Sequence, residues 1–136
     1  MRFVLDTNIA IRALNDDGPV RAKLKEYGRE DVGLPTVVLA ELYYGAEHSQ
    51  RREQNVAKVV ALRRAMRVLP LTEAIARRFG ALRAALRPRG IVKSDFDLVI
   101  AATALEHGAA LVSHDGALLD GSIEGLATVD WLTLSP

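Results

Sequence analysis

Short apolar runs alternate along the whole chain with longer stretches of helical period, and this alternation predicts the elements before any chemistry is considered. Phe3-Val4-Leu5 reads as a first buried strand, about residues 2–6, followed by a helix over 7–15. Asp16-Asp17-Gly18-Pro19 makes a turn, a second helix ends near Tyr27-Gly28, and Val32-Gly33-Leu34-Pro35 is a second short strand. Thr36 is placed as the N-cap of a helix reaching about His48, and a long helix follows over roughly 50–66. Val68-Leu69-Pro70-Leu71 is strand-like, with Pro70 marking an edge or a strand end. Thr72 caps a helix to about Leu86, residues 87–93 form a basic loop, and Ser94 caps the helix from Asp95 to Glu106. Gly108 stops that helix, a strand follows at 110–113, and Thr128-Val129-Asp130-Trp131 reads as a last strand. Strands that alternate with helices predict one α/β domain over residues 1–136, its parallel sheet covered on both faces.

Composition narrows the chemistry. Of the 136 residues, 49% are apolar and 26% charged, the balance of a globular protein rather than a disordered one. With no cysteine, any metal must be held by oxygen or by the three histidines. Arg2 comes too early for a signal-peptide core, and no apolar stretch approaches the ~18 residues of a membrane span, so the expected location is the cytoplasm. The net charge of +1 conceals a segregation: residues 1–50 carry 6 Lys/Arg against 8 Asp/Glu, residues 51–93 carry 12 against 2, and residues 94–136 carry none against 7. A basic middle beside an acidic end suits a polyanion held on one surface while an acidic pocket works on it. Arg-rich helices also serve simply as solvated faces.

Four acids stand where strands hand over to turns or where helices are largely apolar. Asp6 follows the first strand, Asp115 follows 110–113, Asp97 lies in the first turn of a helix apolar almost all round, and Glu41 shares a helix face with Val37, Val38, Tyr44 and Gly45. Each has an alternative reading. Asp6 is a good N-cap, Asp97 fits a capping box with Ser94, Asp115-Gly116 is a common turn pair, and only Glu41, on a face that should pack, lacks such an account. Asp95 is a second acid at the start of the same helix as Asp97, on another face. The three histidines have local explanations, His48 and His107 at helix ends and His114 in an exposed turn.

The ordered motifs Val4-Leu5-Asp6-Thr7-Asn8, Leu39-Ala40-Glu41-Leu42-Tyr43-Tyr44-Gly45, Asp97-Leu98-Val99-Ile100-Ala101-Ala102 through Glu106-His107-Gly108, and Leu111-Val112-Ser113-His114-Asp115 resemble those of PIN-domain ribonucleases, most closely the VapC-type toxins of toxin–antitoxin pairs. The resemblance runs from residue 3 to about Trp131 and implies a three-layer α/β/α sandwich around a mainly parallel sheet of about four to five short strands. By this resemblance Asp6, Glu41, Asp97 and Asp115 form the catalytic quartet, with Asp6, Asp97 and Asp115 as metal ligands and Thr7 and Ser113 as supporting hydroxyls. It further implies a Mg²⁺-dependent endoribonuclease, with Mn²⁺ as a substitute, a homodimer, and a neutralising antitoxin protein whose basic side chain enters the acidic pocket. Relatives often continue the fourth motif with an Arg and an aromatic residue, whereas Gly116-Ala117-Leu118-Leu119 follows here, which sets Asp115 apart from the other three.

Hard divalent ions select oxygen ligands, so carboxylates with a Thr or Ser hydroxyl suit phosphodiester hydrolysis, while no zinc site of His and Cys is visible. The few aromatics, including Phe3, Phe79, Phe96 and Trp131, do not group like a base-stacking sheet. Arg51, Arg52, Arg87, Arg89 and Lys93 are therefore the expected contacts to the RNA backbone. Two other readings stand beside this one: a receiver-type or haloacid-dehalogenase-like Mg²⁺ phosphotransfer domain, and a catalytically silent PIN-like module that binds RNA or protein.

Overall fold

Three helices begin where their caps predict. In the computed structural model, which describes residues 1–132, the Asp6 carboxylate accepts the Ile9 N–H at 2.9 Å, Thr72 Oγ1 accepts that of Ile75 at 3.2 Å, and Ser94 Oγ accepts that of Asp97 at 3.1 Å. Each satisfies an amide that the first helical turn leaves without a partner. Thr36 corrects the expectation: Pro35 occupies the cap position with no side-chain bond, and the Thr36 hydroxyl instead donates to Leu69 O at 2.8 Å, fastening a helix start to a strand end.

The elements follow in the order β1 (Phe3–Leu5), α1 (Thr7–Leu14), α2 (Gly18–Glu26), β2 (Val32–Pro35), α3 (Thr36–Glu47), α4 (Arg52–Arg64), β3 (Arg67–Leu69), α5 (Glu73–Leu86), α6 (Asp95–Glu106), β4 (Ala110–Val112), α7 (Gly116–Leu119) and β5 (Thr128–Val129). Short 3-10 turns occupy Arg29–Asp31 and Arg87–Arg89. The pattern missed α7, because Asp115-Gly116 reads as a turn pair although Asp115 caps a single helical turn. All pairings are parallel and the strand order is β3-β2-β1-β4-β5. This is a central parallel sheet flanked by helices, and β3, which Pro70 follows, is an edge strand as expected. Residues 133–136 of the expected domain lie outside the described ones.

The order reverses direction between β1 and β4, and in open α/β sheets ligands bind beyond the carboxyl ends of the strands at such a switch point. A receiver-type domain would carry the order 2-1-3-4-5, so the topology speaks against that reading. Helix α6 covers the sheet with Leu98, Ile100, Ala101, Ala102, Thr103 and Ala104 all buried, its small residues allowing a close approach. The main core joins Val4, Leu5, Leu34, Leu111 and Val112 of the strands to Ile9, Val38, Leu42, Ile100 and Ala104 of the helices. Phe3, Tyr27 and Trp131 do cluster, with ring centroids 4.6–6.2 Å apart, but they pack against this core instead of offering an open stacking platform. No helix among the described residues is long and apolar enough to cross a membrane.

One strand position leaves little room for a side chain. A Cβ on Gly33 would stand 2.5 Å from Leu69 Cδ1 and 3.0 Å from Met1 Sδ. Gly33→Ala should therefore lower unfolding stability by about 1–3 kcal/mol through overpacking, seen as a lower urea midpoint at constant slope. An unchanged midpoint would mean that the buried Leu69 side chain swings aside at no cost.

Candidate active site

The β1–β4 ladder delivers the first and fourth acidic motifs to one place. Phe3, Val4 and Leu5 pair with Ala110, Leu111 and Val112, and the Asp6 N–H donates to Val112 O at 3.1 Å. Asp6 and Ser113 thus leave adjacent strands side by side. Ser113 is fully buried and Asp6 is 3% exposed. Ser113 stands close enough to the Asp6 carboxyl to draw its pKa down, and its hydroxyl oxygen accepts the Asp115 N–H at 3.0 Å, so one side chain borders both acidic segments.

Asp115 caps α7, its carboxylate accepting the Ala117 N–H at 2.9 Å. Asp97 lies half-buried in the first turn of α6, where a negative charge suits the helix dipole. Burial pushes the Asp6 carboxyl above its ordinary value; hydrogen bonds from Ser113 and Ile9 oppose this, and the charges of Asp97 and Asp115 add to it. Three carboxyls therefore share one electrostatic environment. Among the described residues no three acidic or imidazole side chains are drawn tightly enough to ligate a single ion. The donors are all oxygen, from three carboxylates with Ser113 beside them, and this set fits a hard divalent cation.

Glu41 joins the group through a neighbour. Thr7 Oγ1, one residue beyond Asp6, donates to Glu41 Oε1 at 2.9 Å. The sequence placed Glu41 on a packed face, and the structure corrects this. Glu41 is half-buried and lines a cavity of about 240 Å³ between α1, α3 and α4, and Tyr44, one turn on, is 69% exposed. Asp95 points elsewhere and pairs with Arg83. His114 Nδ1 lies 2.7 Å from Asp130 Oδ2, while His48 and His107 end α3 and α6 as expected.

The expected RNA-binding cations fare unequally. Arg51 and Arg87 are exposed and make no ion pair among the described residues. Arg52 pairs with Glu47, and Arg89 donates to Ser122 O at 3.0 Å. Lys93 is a correction. Its side chain is 2% exposed, and the ammonium donates to Ala117 O and to Asp120 Oδ2, the latter at 3.1 Å, so it offers nothing to a phosphate. The Ser122 hydroxyl and amide, with Lys93, hold Asp120 down at about 2. The sequence carried no signal for this pair, whose members are 27 residues apart.

Comparisons with known proteins show the family of the chain. A sequence model of the PIN domain matches residues 3–121. The chain is 33% identical over 132 residues to the tRNA(fMet)-specific endonuclease VapC of Shigella flexneri, covering 96% of this chain and 98% of that one. It is 29% identical over 117 residues to the Ribonuclease VapC2 of Rickettsia felis, covering 85% and 87%. Among solved structures, a chain of the DNA-bound VapBC complex of Salmonella typhimurium superposes with a TM-score of 0.89 at 28% identity, over 96% of this chain and 98% of that one. A chain of the Rickettsia felis VapBC2 complex, bound to promoter DNA, gives 0.87 at 27% identity, over 96% and 99%. With its acidic motifs in order around the switch point of the sheet, the chain belongs to the PIN-domain family, among the VapC ribonucleases.

Proposed function

We propose that this protein is the endoribonuclease toxin of a toxin–antitoxin pair, and that Asp6, Asp97 and Asp115 hold Mg²⁺, or Mn²⁺ in its place, for hydrolysis of RNA phosphodiester bonds. The observation that carries this reading is the buried Asp6 carboxyl, raised by desolvation and by two neighbouring carboxyls. A carboxyl so placed is poorly solvated and lacks a cationic partner among the described residues, and a divalent ion supplies one. When bound, such an ion stabilises charge on the phosphate and lowers the pKa of a water. Ser113 stands beside Asp6 and fixes the Asp115 backbone, and Thr7 holds the Glu41 carboxylate next to the Asp6 segment. All four acids are retained, which favours a working enzyme over a silent binding module.

Of the five expected cations, Arg51 and Arg87 are the ones left open to the RNA backbone. The Shigella flexneri relative is named for tRNA(fMet), which makes that RNA the first substrate to assay. The partner is a cognate antitoxin, for which the cavity beside Glu41, walled by Ile11, Leu14, Leu42 and Val59, suits an apolar segment with a basic residue reaching the carboxylate. The working form is a homodimer in the cytoplasm.

Purified protein should cleave RNA with Mg²⁺ or Mn²⁺ and not in EDTA, and Asp6→Asn or Asp97→Asn should abolish cleavage with the circular-dichroism spectrum unchanged. Undiminished cleavage in EDTA would sink the metal reading.

Stability against pH gives a second test. Because the fold raises Asp6 above its ordinary 3.8, its contribution is full below that value and is lost as pH rises through the folded one. Metal-free Asp6→Asn, whose amide still caps α1, should melt above wild type near pH 7, with the gap closing at roughly pH 4. Mn²⁺ should raise the wild-type melting temperature and leave that of the variant unmoved. A metal-free variant that melts below wild type would make Asp6 a purely structural cap.

Changing Arg51 and Arg87 together to Ala should flatten the dependence of log K for RNA on log salt by roughly 0.7 per lost contact. A slope equal to that of wild type would place the RNA on another surface.

A further inference from the structure

Lys93 is an unusual residue for its place. It precedes the cap of α6 and could have been a solvated loop cation, yet its side chain is 2% exposed. A buried ammonium is strongly unfavourable unless paired and hydrogen-bonded. Its partners both belong to α7: the carbonyl of Ala117, in the middle of that single turn, and the carboxylate of Asp120, its C-terminal cap. We infer that Lys93 is a positioning residue for the acidic site: by tying α7, which Asp115 caps, to the segment that starts α6 with Asp97, it sets the separation of two carboxylates that hold the cation.

The linkage is short at both ends. On one side, Lys93 is followed by Ser94, whose hydroxyl accepts the Asp97 N–H, so the backbone of Lys93 and the first turn of α6 move as one piece. On the other, Asp115 Oδ1 accepts the amide of Ala117, the residue whose carbonyl Lys93 holds. A helix of four residues has no stability of its own. What fixes α7 is the Asp115 cap, the buried Leu118 side chain and the Lys93 ammonium. The Ser122 hydroxyl and amide, with Lys93, hold the Asp120 carboxyl below its ordinary value, which favours its charged form beside the ammonium. The remaining contacts of Lys93 agree with a scaffold role, since its stem lines a hollow with Leu86, Ile91 and Leu98. Groups that orient metal ligands without touching the ion typically change affinity by about 10–100-fold when removed.

The inference rests on the proposed cation site, and Mn²⁺ binding tests the two separately. Calorimetry and the paramagnetic resonance of bound Mn²⁺ would be recorded on metal-free wild type, Lys93→Met, Asp120→Asn and the double variant. Lys93→Met should bind Mn²⁺ about tenfold or more weakly, Asp120→Asn less weakly because the Ala117 carbonyl remains, and the double variant no worse than Lys93→Met alone. The salt dependence of RNA binding should match wild type. A lowered melting temperature with unchanged Mn²⁺ affinity would overturn the inference and leave Lys93 a stability residue. A flattened salt slope would overturn it too, as a phosphate contact does. If Lys93→Met does not fold, Asp120→Asn decides alone, and wild-type Mn²⁺ affinity in that variant overturns the proposal. Absence of Mn²⁺ binding by wild type would instead overturn the cation site itself.

Discussion

The parallel pairing of β1 with β4 is the constraint on which the site depends. Because the two strands run in the same direction, their ends emerge together, and the hydrogen bond from the Asp6 N–H to Val112 O carries the ladder right up to the acid. Parallel strands need long crossovers, which is why chemistry separated by more than a hundred residues of chain converges on one edge. A one-residue slip would turn Asp6 or Ser113 to the other face of the sheet. Val4, Leu5, Leu111 and Val112, all fully buried, hold the register by having no other place to go.

Around that edge the fold places charge against its own stability. Asp6 is buried with two further carboxyls near it, and relief comes from Ser113 and the Ile9 amide. The apolar mass behind it, α6 above all, is what makes such an arrangement sustainable. Strain of this kind concentrates at functional sites, where a ligand removes it. Thr7 and Ser113 play matching parts: each lies just past the end of a strand, Thr7 holding the Glu41 carboxylate and Ser113 holding the Asp115 backbone beside Asp6.

Much of this was legible in the sequence, for local reasons. Strand runs, the caps Asp6, Thr72 and Ser94, and the stop at Gly108 each depend on residues within one turn of each other, and the structure keeps them. The departures are long-range. Thr36 looked like a cap because its type fits, yet its hydroxyl found Leu69 O across 33 residues. Lys93 looked like a solvated cation in a basic loop, and its partners lie 24 and 27 residues away in a turn of helix that the pattern did not show. Glu41 looked packed because its helix is apolar, but the cavity beside it depends on how α4 lies against α1 and α3, which no local pattern encodes. The charge segregation was visible and the pairing within it was not: Arg52 and Arg89 meet Glu47 and Ser122, leaving Arg51 and Arg87 open.

The proposed cation site at the switch point between β1 and β4 is made by Asp6, Asp97 and Asp115. Anomalous diffraction at the manganese edge, from crystals grown or soaked with Mn²⁺, addresses it directly. The account predicts a peak within coordinating distance of Asp6 and Asp97, with Asp115 turned toward it. A well-diffracting crystal with no peak there, or with Mn²⁺ held instead at His114 and Asp130, would contradict it.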